Sequence, residues 1–336
     1  MNASTRRRFS LALATGTLAA PMINGRASAQ AVKLILSHHV PTTHLFHATS
    51  ENFAKYVAEG TKGQVTVDIK PASQLFNLRT AAEALQLGTL DLAWTDLGTH
   101  ANWQPQFGFT SLPFLFSDYA HGKKVLHGAL GQQIAADIKS TIGNEVLALG
   151  ASGFRVFVGR REIKSADDCR GMKLRVPEIP LYIEMARLLG TNPTPIPAAE
   201  VYTALQTGVV DAMESPPDLF VTNKMWEVAQ HATRTFHIFT EGSLFASTRS
   251  SGMKGLSAAN LQVVREAAKR AVEAEMWEAN LKEQNAALQT LGERLKMVAS
   301  PDVASFRAKT APMIQGFVAK AGAKAKAYVE AVQALA

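Results

Sequence analysis

Apolar residues along this chain follow two spacings that take turns. Val32-Lys33-Leu34-Ile35-Leu36-Ser37 is a short apolar run of the kind that forms a buried strand. From Ser50 to Gly60 the spacing lengthens, with Phe53, Tyr56 and Val57 on one helical face and a glycine stop. Val65-Thr66-Val67-Asp68-Ile69 alternates as a strand and ends before Pro71. A short helix over Arg79 to Leu87, closed by Gly88, leads into a strand over Leu90-Asp91-Leu92-Ala93-Trp94. The same order returns later. Lys173-Leu174-Arg175-Val176 reads as a strand, Leu181 to Leu189 as a helix capped by Gly190, and Val209-Val210-Asp211-Ala212-Met213 as a strand. Ser257 reads as the N-cap of a long helix running towards Leu291. Strands alternating with helices predict an α/β fold of parallel sheets covered on both faces.

One internal repeat says more about organisation than any single element. Ala84-Leu85-Gln86-Leu87-Gly88-Thr89-Leu90-Asp91 is mirrored by Ala204-Leu205-Gln206-Thr207-Gly208-Val209-Val210-Asp211. Each is a helix end, a glycine cap and a strand start at the same spacing. Such junctions are common in α/β proteins, so coincidence is the competing reading. The identities at matched positions, the final Asp among them, favour two similarly built lobes. Superposing the repeats sets Trp94 against Glu214 and Thr95 against Ser215. Ligands of open α/β sheets sit beyond the carboxyl ends of strands. These four residues are therefore expected to face one another across a cleft.

The first residues bear on the compartment. Arg6, Arg7 and Arg8 precede a weakly apolar stretch from Leu11 to Ile23, and Ala27-Ser28-Ala29 forms a small-residue cleavage site. Residues 1–29 thus read as a signal peptide that leaves a mature chain starting near Gln30. The stretch carries Thr15, Gly16, Thr17 and Pro21, too polar and too short to span a bilayer. Thr5-Arg6-Arg7-Arg8-Phe9 resembles a twin-arginine export signal, and an ordinary Sec signal accounts for the same residues. Removing the segment's four arginines leaves 31 basic residues against 28 acidic ones, a net charge of +3 in place of +7. That balance leaves no nucleic-acid footprint. The single cysteine, Cys169, excludes an internal disulfide even in an oxidising compartment. Stability must then come from core burial, for which a chain of 336 residues has room in two domains.

Several segments carry a family likeness. Gly153-Phe154-Arg155 is followed by Ser165-Ala166-Asp167-Asp168-Cys169-Arg170-Gly171-Met172-Lys173-Leu174-Arg175-Val176-Pro177. Gly190, Pro193-Thr194-Pro195 and the run from Glu200 to Asp211 continue the pattern. Gln74-Leu75, Leu87 to Asp91 and Leu112-Pro113-Phe114-Leu115-Phe116 supply the earlier part. Together they resemble the solute-binding proteins of TRAP transporters, the tripartite ATP-independent periplasmic systems, in the branch of C4-dicarboxylate and sialic acid receptors. The resemblance implies a two-lobed periplasmic-binding-protein fold with a ligand cleft between the lobes and a long C-terminal helix bracing both. On this basis residues 30–152 with 241–280 form one lobe, and residues 153–240 with 281–336 the other. It implies a monomeric periplasmic receptor that closes on a small organic acid and delivers it to integral-membrane subunits, with no cofactor. It also implies that Arg175 pairs with the ligand carboxylate and that Arg155 lies near it. Ser215 stands where the family often has asparagine, Ala212 and Phe76 where it often has glycine, and Cys169 where an apolar residue is usual. These departures leave the mechanism in place and the acid's identity open.

A guanidinium stays charged and offers a planar fork matching both carboxylate oxygens, whereas lysine offers a point charge. Arg175, flanked by Leu174 and Val176, emerges from a buried strand, and a buried charge needs a partner. A ligand carboxylate can be that partner, and so can a local acid such as Glu178. Arg155 either reinforces Arg175 or pairs internally at the hinge. Glu214 would repel a carboxylate but can accept from a ligand hydroxyl or position an arginine. Ser215 is either a small ligand donor or a turn residue before Pro216-Pro217. Trp94 supplies either an apolar wall or core. His38 or His39, at the end of the first strand, and Asn77, beside Phe76, complete the candidate ligand set. His38, His39, His44 and His47 share no helical face and lack an accompanying metal motif, so no metal site is expected. The chain has no G-x-S-x-G, G-x-G-x-x-G, Walker or C-x-x-C motif, which argues against an enzyme. A ligand-sensing subunit for a signalling partner is the alternative, and a periplasmic enzyme a more distant one.

Overall fold

Residues 31–336, which the computed structural model describes, build two sheets joined by crossing segments. The export segment expected over residues 1–29 lies outside the described residues. The strands in chain order are β1 (Val32–Ser37), β2 (Val65–Lys70), β3 (Leu92–Thr95), β4 (Asn144–Phe154), β5 (Val156–Gly159) and β6 (Lys173–Val176). There follow β7 (Asn192–Pro195), β8 (Ala212–Ser215), β9 (His231–Thr233), β10 (Phe239–Ser247) and β11 (Lys296–Val298). The first sheet has the order β2-β1-β3-β10-β4 and the second β11-β9-β5-β8-β6-β7. β1 runs parallel to β2 and β3, and β10 antiparallel to β3 and β4. In the second sheet β6 runs parallel to β7 and β8, with β5 antiparallel to β8.

The two halves are built alike, and the repeat is where this shows. β3 and β8 begin two to three residues later than their apolar runs suggest, each four residues after its glycine. The cause is the repeated aspartate. Asp91 Oδ2 accepts from the Ile35 backbone N–H at 2.9 Å, and Asp211 Oδ2 accepts from that of Lys173 at 2.9 Å. Each carboxylate thus closes the end of its ladder before strand pairing starts. Gly88 and Gly208 end their helices in the left-handed region, with φ of 79° and 78°, which a Cβ would disfavour. Arg249 donates to the Gln86 carbonyl at 2.6 Å and Arg160 to the Gln206 carbonyl at 2.9 Å, so both helix ends are capped by an arginine from a neighbouring segment.

Three connections cross between the lobes. β4 runs through Arg155 straight into β5, and residues 234–238 return the chain from β9 to β10. Arg155 N–H donates to the Ile238 carbonyl at 2.9 Å, tying these two crossings together. Gly153 sits in this junction at φ 120°, where an added Cβ would lie 2.7 Å from Tyr119 Oη and 2.9 Å from Gln284 Cδ. The third connection is the helix that starts at the Ser257 N-cap. It is helical over Ala258–Ala268, widens to a π-helix over Lys269–Met276 and continues as an α-helix over Trp277–Arg294. Val272 and Met276 pack with Leu34, Phe53 and Trp94 of the first lobe, whereas Leu291 packs with Val158, Met213 and Phe220 of the second. The last helical segment, Pro312–Ala334, is broken at Gly322. It lays Phe317 and Tyr328 against Gly108 and Phe109. Among the described residues no helix is long and apolar enough to cross a membrane.

Candidate ligand cleft

The carboxyl ends of β1, β3, β6 and β8 open onto one cleft, lined from both lobes. Thr95 and Ser215, the last residues of the repeated strands, both line it. Trp94 and Glu214 do not, because successive strand residues point to opposite faces. Trp94 is fully buried in the first lobe, where its Nε1 donates to Ser50 Oγ at 2.7 Å and its ring stacks on Phe46. Glu214, also fully buried, stands behind the cleft and holds an arginine that lines it.

That arginine is Arg155. Its Nε and one terminal nitrogen grip the Glu214 carboxylate, the latter at 2.9 Å, and the same nitrogen donates to the Glu214 carbonyl at 2.7 Å. The other terminal nitrogen donates to Thr240 Oγ1 at 3.2 Å, and the guanidinium lies 4.8 Å over the Tyr182 ring. Burial opposes the charge of Arg155, but Glu214, Tyr182 and Asp96 outweigh it and raise the group above its ordinary value. Burial likewise works against an ionised Glu214, and Arg155 and His237 overcome it, holding the carboxyl below the usual range. The pair is therefore ionised and mutually satisfied.

Arg175 differs. It is 4% exposed at the end of β6, and its Nε donates to the Ile196 carbonyl at 2.8 Å. Among the described residues it forms no ion pair, with Glu178 or any other acid. Burial, and then the neighbouring Arg155, pull it down to about 10, with Glu214 opposing. A guanidinium remains charged at neutral pH even so. The depression expresses a buried cation short of a counter-charge, on the wall of a cleft.

Polar groups around it are also waiting. Among the described residues the hydroxyl of Thr95, 2% exposed, has no hydrogen-bond partner, and neither has His39 Nδ1, while the hydroxyl of Thr99, 1% exposed, faces the Asp96 carboxylate. All three residues line the cleft. Burial, with His44, His38 and Arg175, pushes His39 down to about 3, so its imidazole is neutral at physiological pH. His38 lies outside the cleft wall, its Nε2 3.0 Å from His47 Nδ1. His44, a cleft residue, has its Nε2 3.1 Å from Asp218 Oδ2, a contact between the lobes. Asn77 lines the cleft while capping the helix Leu78–Leu87, with its Oδ1 accepting from Thr80 N–H at 2.9 Å.

Among the cleft residues that the sequence did not single out are two acids, Asp96 and Glu241. Asp96 caps the turn after β3, its Oδ1 accepting from Thr99 N–H at 2.6 Å. Glu241, in β10, accepts from the Leu97 N–H at 2.5 Å and from Thr110 Oγ1 at 3.4 Å. Burial and the charge of Asp96 push Glu241 well above the usual carboxylate range, and burial raises Asp96 too. The stability consequence has a definite sign. A raised folded value means stability is fully present below the unfolded value of about 4.3 and is lost as pH rises through the folded one. Glu241→Gln removes that loss, so its melting temperature should match wild type near pH 4.5 and exceed it increasingly towards pH 7.5. A scanning-calorimetry difference that stays constant over this range would refute the assignment.

Two α/β lobes joined by three crossings, with an arginine in the cleft that forms no ion pair among the described residues, are the architecture of a solute receptor. The chain belongs to the bacterial extracellular solute-binding proteins of family 7 (DctP), whose family model matches residues 36–321. It is 28% identical to the sialic acid-binding periplasmic protein SiaP of Vibrio cholerae, over 81% of this chain and 85% of that one. It is 32% identical to the C4-dicarboxylate-binding periplasmic protein DctP of Rhodobacter capsulatus, over 69% of each. With an uncharacterized Haemophilus influenzae protein it shares 33% identity over 62% of this chain, spanning 64% of that protein's length. Among solved structures, a TRAP periplasmic solute-binding protein from a Polaromonas species bound to D-erythronate superposes with a TM-score of 0.84 at 30% identity, covering 90% of this chain and 98% of that one. The sugar acid-binding protein DctPAm from Advenella mimigardefordensis, in complex with galactonate, superposes with a TM-score of 0.85 at 25% identity, covering 91% and 99%. The two-lobed fold and the long C-terminal helix expected from the sequence are those of this family.

Proposed function

We propose that this chain is the periplasmic receptor of a TRAP-type transporter and binds a small hydroxylated organic acid in the cleft. The observation that carries this is the buried, unpaired guanidinium of Arg175. A ligand carboxylate supplies the missing counter-charge through a two-pronged hydrogen bond. In this reading Thr95, Thr99 and neutral His39 bond ligand hydroxyls, with Ser215 and Asn77 also lining the cleft. Arg155, engaged by Glu214, presents a fixed edge and does not supply a free fork. Closure follows because Arg175 and the threonines belong to different lobes, so both can be satisfied when the lobes meet around the ligand. The hydroxylated acids held by the structural relatives support this reading. Delivery to integral-membrane subunits, and life as a monomer, are the roles that go with it.

The test is a thermal-shift panel of organic acids on ligand-free protein, followed by mass spectrometry of the recovered ligand. A binder should raise the melting temperature by mass action and come back unchanged. Chemical conversion, or no response to any carboxylate, would overturn the proposal. Reconstituted uptake should follow a sodium gradient and need no ATP.

A further inference from the structure

We propose that Asp96 and Glu241 are the specificity-determining pair of this cleft, bonding the hydroxyl end of a polyhydroxy monocarboxylate and excluding a ligand that carries a second carboxylate there. The inference rests on reading the cleft as an organic-acid site and goes beyond it by naming which acids enter.

The cleft is divided by charge. Arg175 lies on the second lobe, at the end of β6, whereas Asp96 and Glu241 lie on the first, after β3 and in β10. Asp96 retains 9% exposure and Glu241 2%, and no cation pairs with either among the described residues. Arg155 reaches Asp96 only as a through-space charge, because its donors are committed to Glu214 and Thr240. Arg79, a further cleft-lining cation, is turned to Glu83 at 3.1 Å and is largely exposed.

The same wall holds an independent sign of a ligand. The hydroxyl of Thr95, next to Asp96 in sequence, is almost wholly buried and has no hydrogen-bond partner among the described residues, while that of Thr99 faces the Asp96 carboxylate. Buried polar atoms without partners are uncommon, and a hydroxyl donor beside two acids defines a surface that both donates and accepts. Ligand hydroxyls satisfy such a surface, since each can give a proton to a carboxylate and take one from a threonine. A carboxylate cannot, because it only accepts and would add negative charge to a buried wall without a free cation. Burial and the charge of Asp96 raise the affinity of Glu241 for a proton, so the wall resists any further negative charge.

Matched acids isolate the effect. Galactonate and galactarate differ in one end group, CH₂OH against COO⁻, and so do gluconate and glucarate, and erythronate and meso-tartrate. Calorimetry at pH 7.5 on the wild-type chain should find the monocarboxylate at least tenfold tighter than its dicarboxylate partner in every pair that binds. Asp96→Asn with Glu241→Gln should cut that ratio at least tenfold by letting the dicarboxylate in. A change that only disturbs packing would weaken both members and leave the ratio alone. Equal or tighter dicarboxylate binding by wild type, or a ratio untouched in the folded double variant, overturns the inference while leaving the receptor reading intact. Failure of every acid to bind wild type overturns the receptor reading, and this inference with it.

Discussion

Arg175→Ala should weaken the binding of an organic acid by roughly thirty-fold to several thousand-fold, about 2–5 kcal/mol, while leaving the ligand-free fold intact. The two halves of that expectation come from one geometry. The guanidinium is buried beside Arg155 with no acid paired to it, so in the empty protein its charge is a cost. Removing it loses one hydrogen bond, to the Ile196 carbonyl, worth about 1 kcal/mol. It also relieves an uncompensated buried charge of comparable or larger cost. The net effect on melting should be near zero or stabilising. With ligand bound the balance reverses, because truncation strands a desolvated carboxylate between the lobes. Arg175→Lys should recover part of the affinity, since charge returns without the planar fork. Titration calorimetry with galactonate or erythronate, beside urea unfolding of the empty protein, separates the two effects. A folded Arg175→Ala that binds at wild-type strength would remove the central claim. One that melts far below wild type would show the arginine to be structural.

How far the sequence led to this site depends on the kind of information each residue needed. Arg175 was visible as a charged residue between Leu174 and Val176 in a short apolar run, but that pattern left it open between a local acid and a ligand, and only the family resemblance favoured the ligand. Thr95 and Ser215 were legible as equivalent positions because the helix–glycine–strand unit repeats, although β3 and β8 run one and two residues past the ends that the apolar runs suggested. The repeat gave Trp94 and Glu214 their strand positions but not their faces. A period of two puts them on the sides away from the cleft wall. Asp96, Thr99 and Glu241 had no local signal. Glu241 becomes a cleft residue because β10 inserts between β3 and β4, bringing it to the Leu97 N–H across 144 residues of chain. Pairing at that distance follows from topology, which the pattern of apolar positions does not specify. His44 was visible as one of four clustered histidines, but its contact with Asp218 is likewise made by the meeting of lobes.

The largest stability effect is expected at the other arginine. Glu214→Leu should destabilise the ligand-free protein by about 3–5 kcal/mol, because it leaves the Arg155 guanidinium buried with no counter-ion. That is a large fraction of the 5–15 kcal/mol typical of a folded domain. Arg155→Met should cost less than Glu214→Leu. The Glu214 carboxylate it abandons still has the His237 Nε2 at 3.4 Å and can itself take a proton, whereas an abandoned arginine stays charged and Thr240 and the Tyr182 ring cannot neutralise it. Combining the two changes replaces a buried ion pair with apolar groups of similar bulk, which is often near neutral. The double variant should therefore recover most of the lost stability, giving a coupling energy of several kcal/mol in a double-mutant cycle. Urea unfolding of the four proteins at pH 7.5 measures it. Additive losses would mean that Arg155 and Glu214 act separately. Recovery of stability in the double variant, together with weakened ligand binding, would identify the pair as the rigid back wall against which Arg175 and the ligand are set.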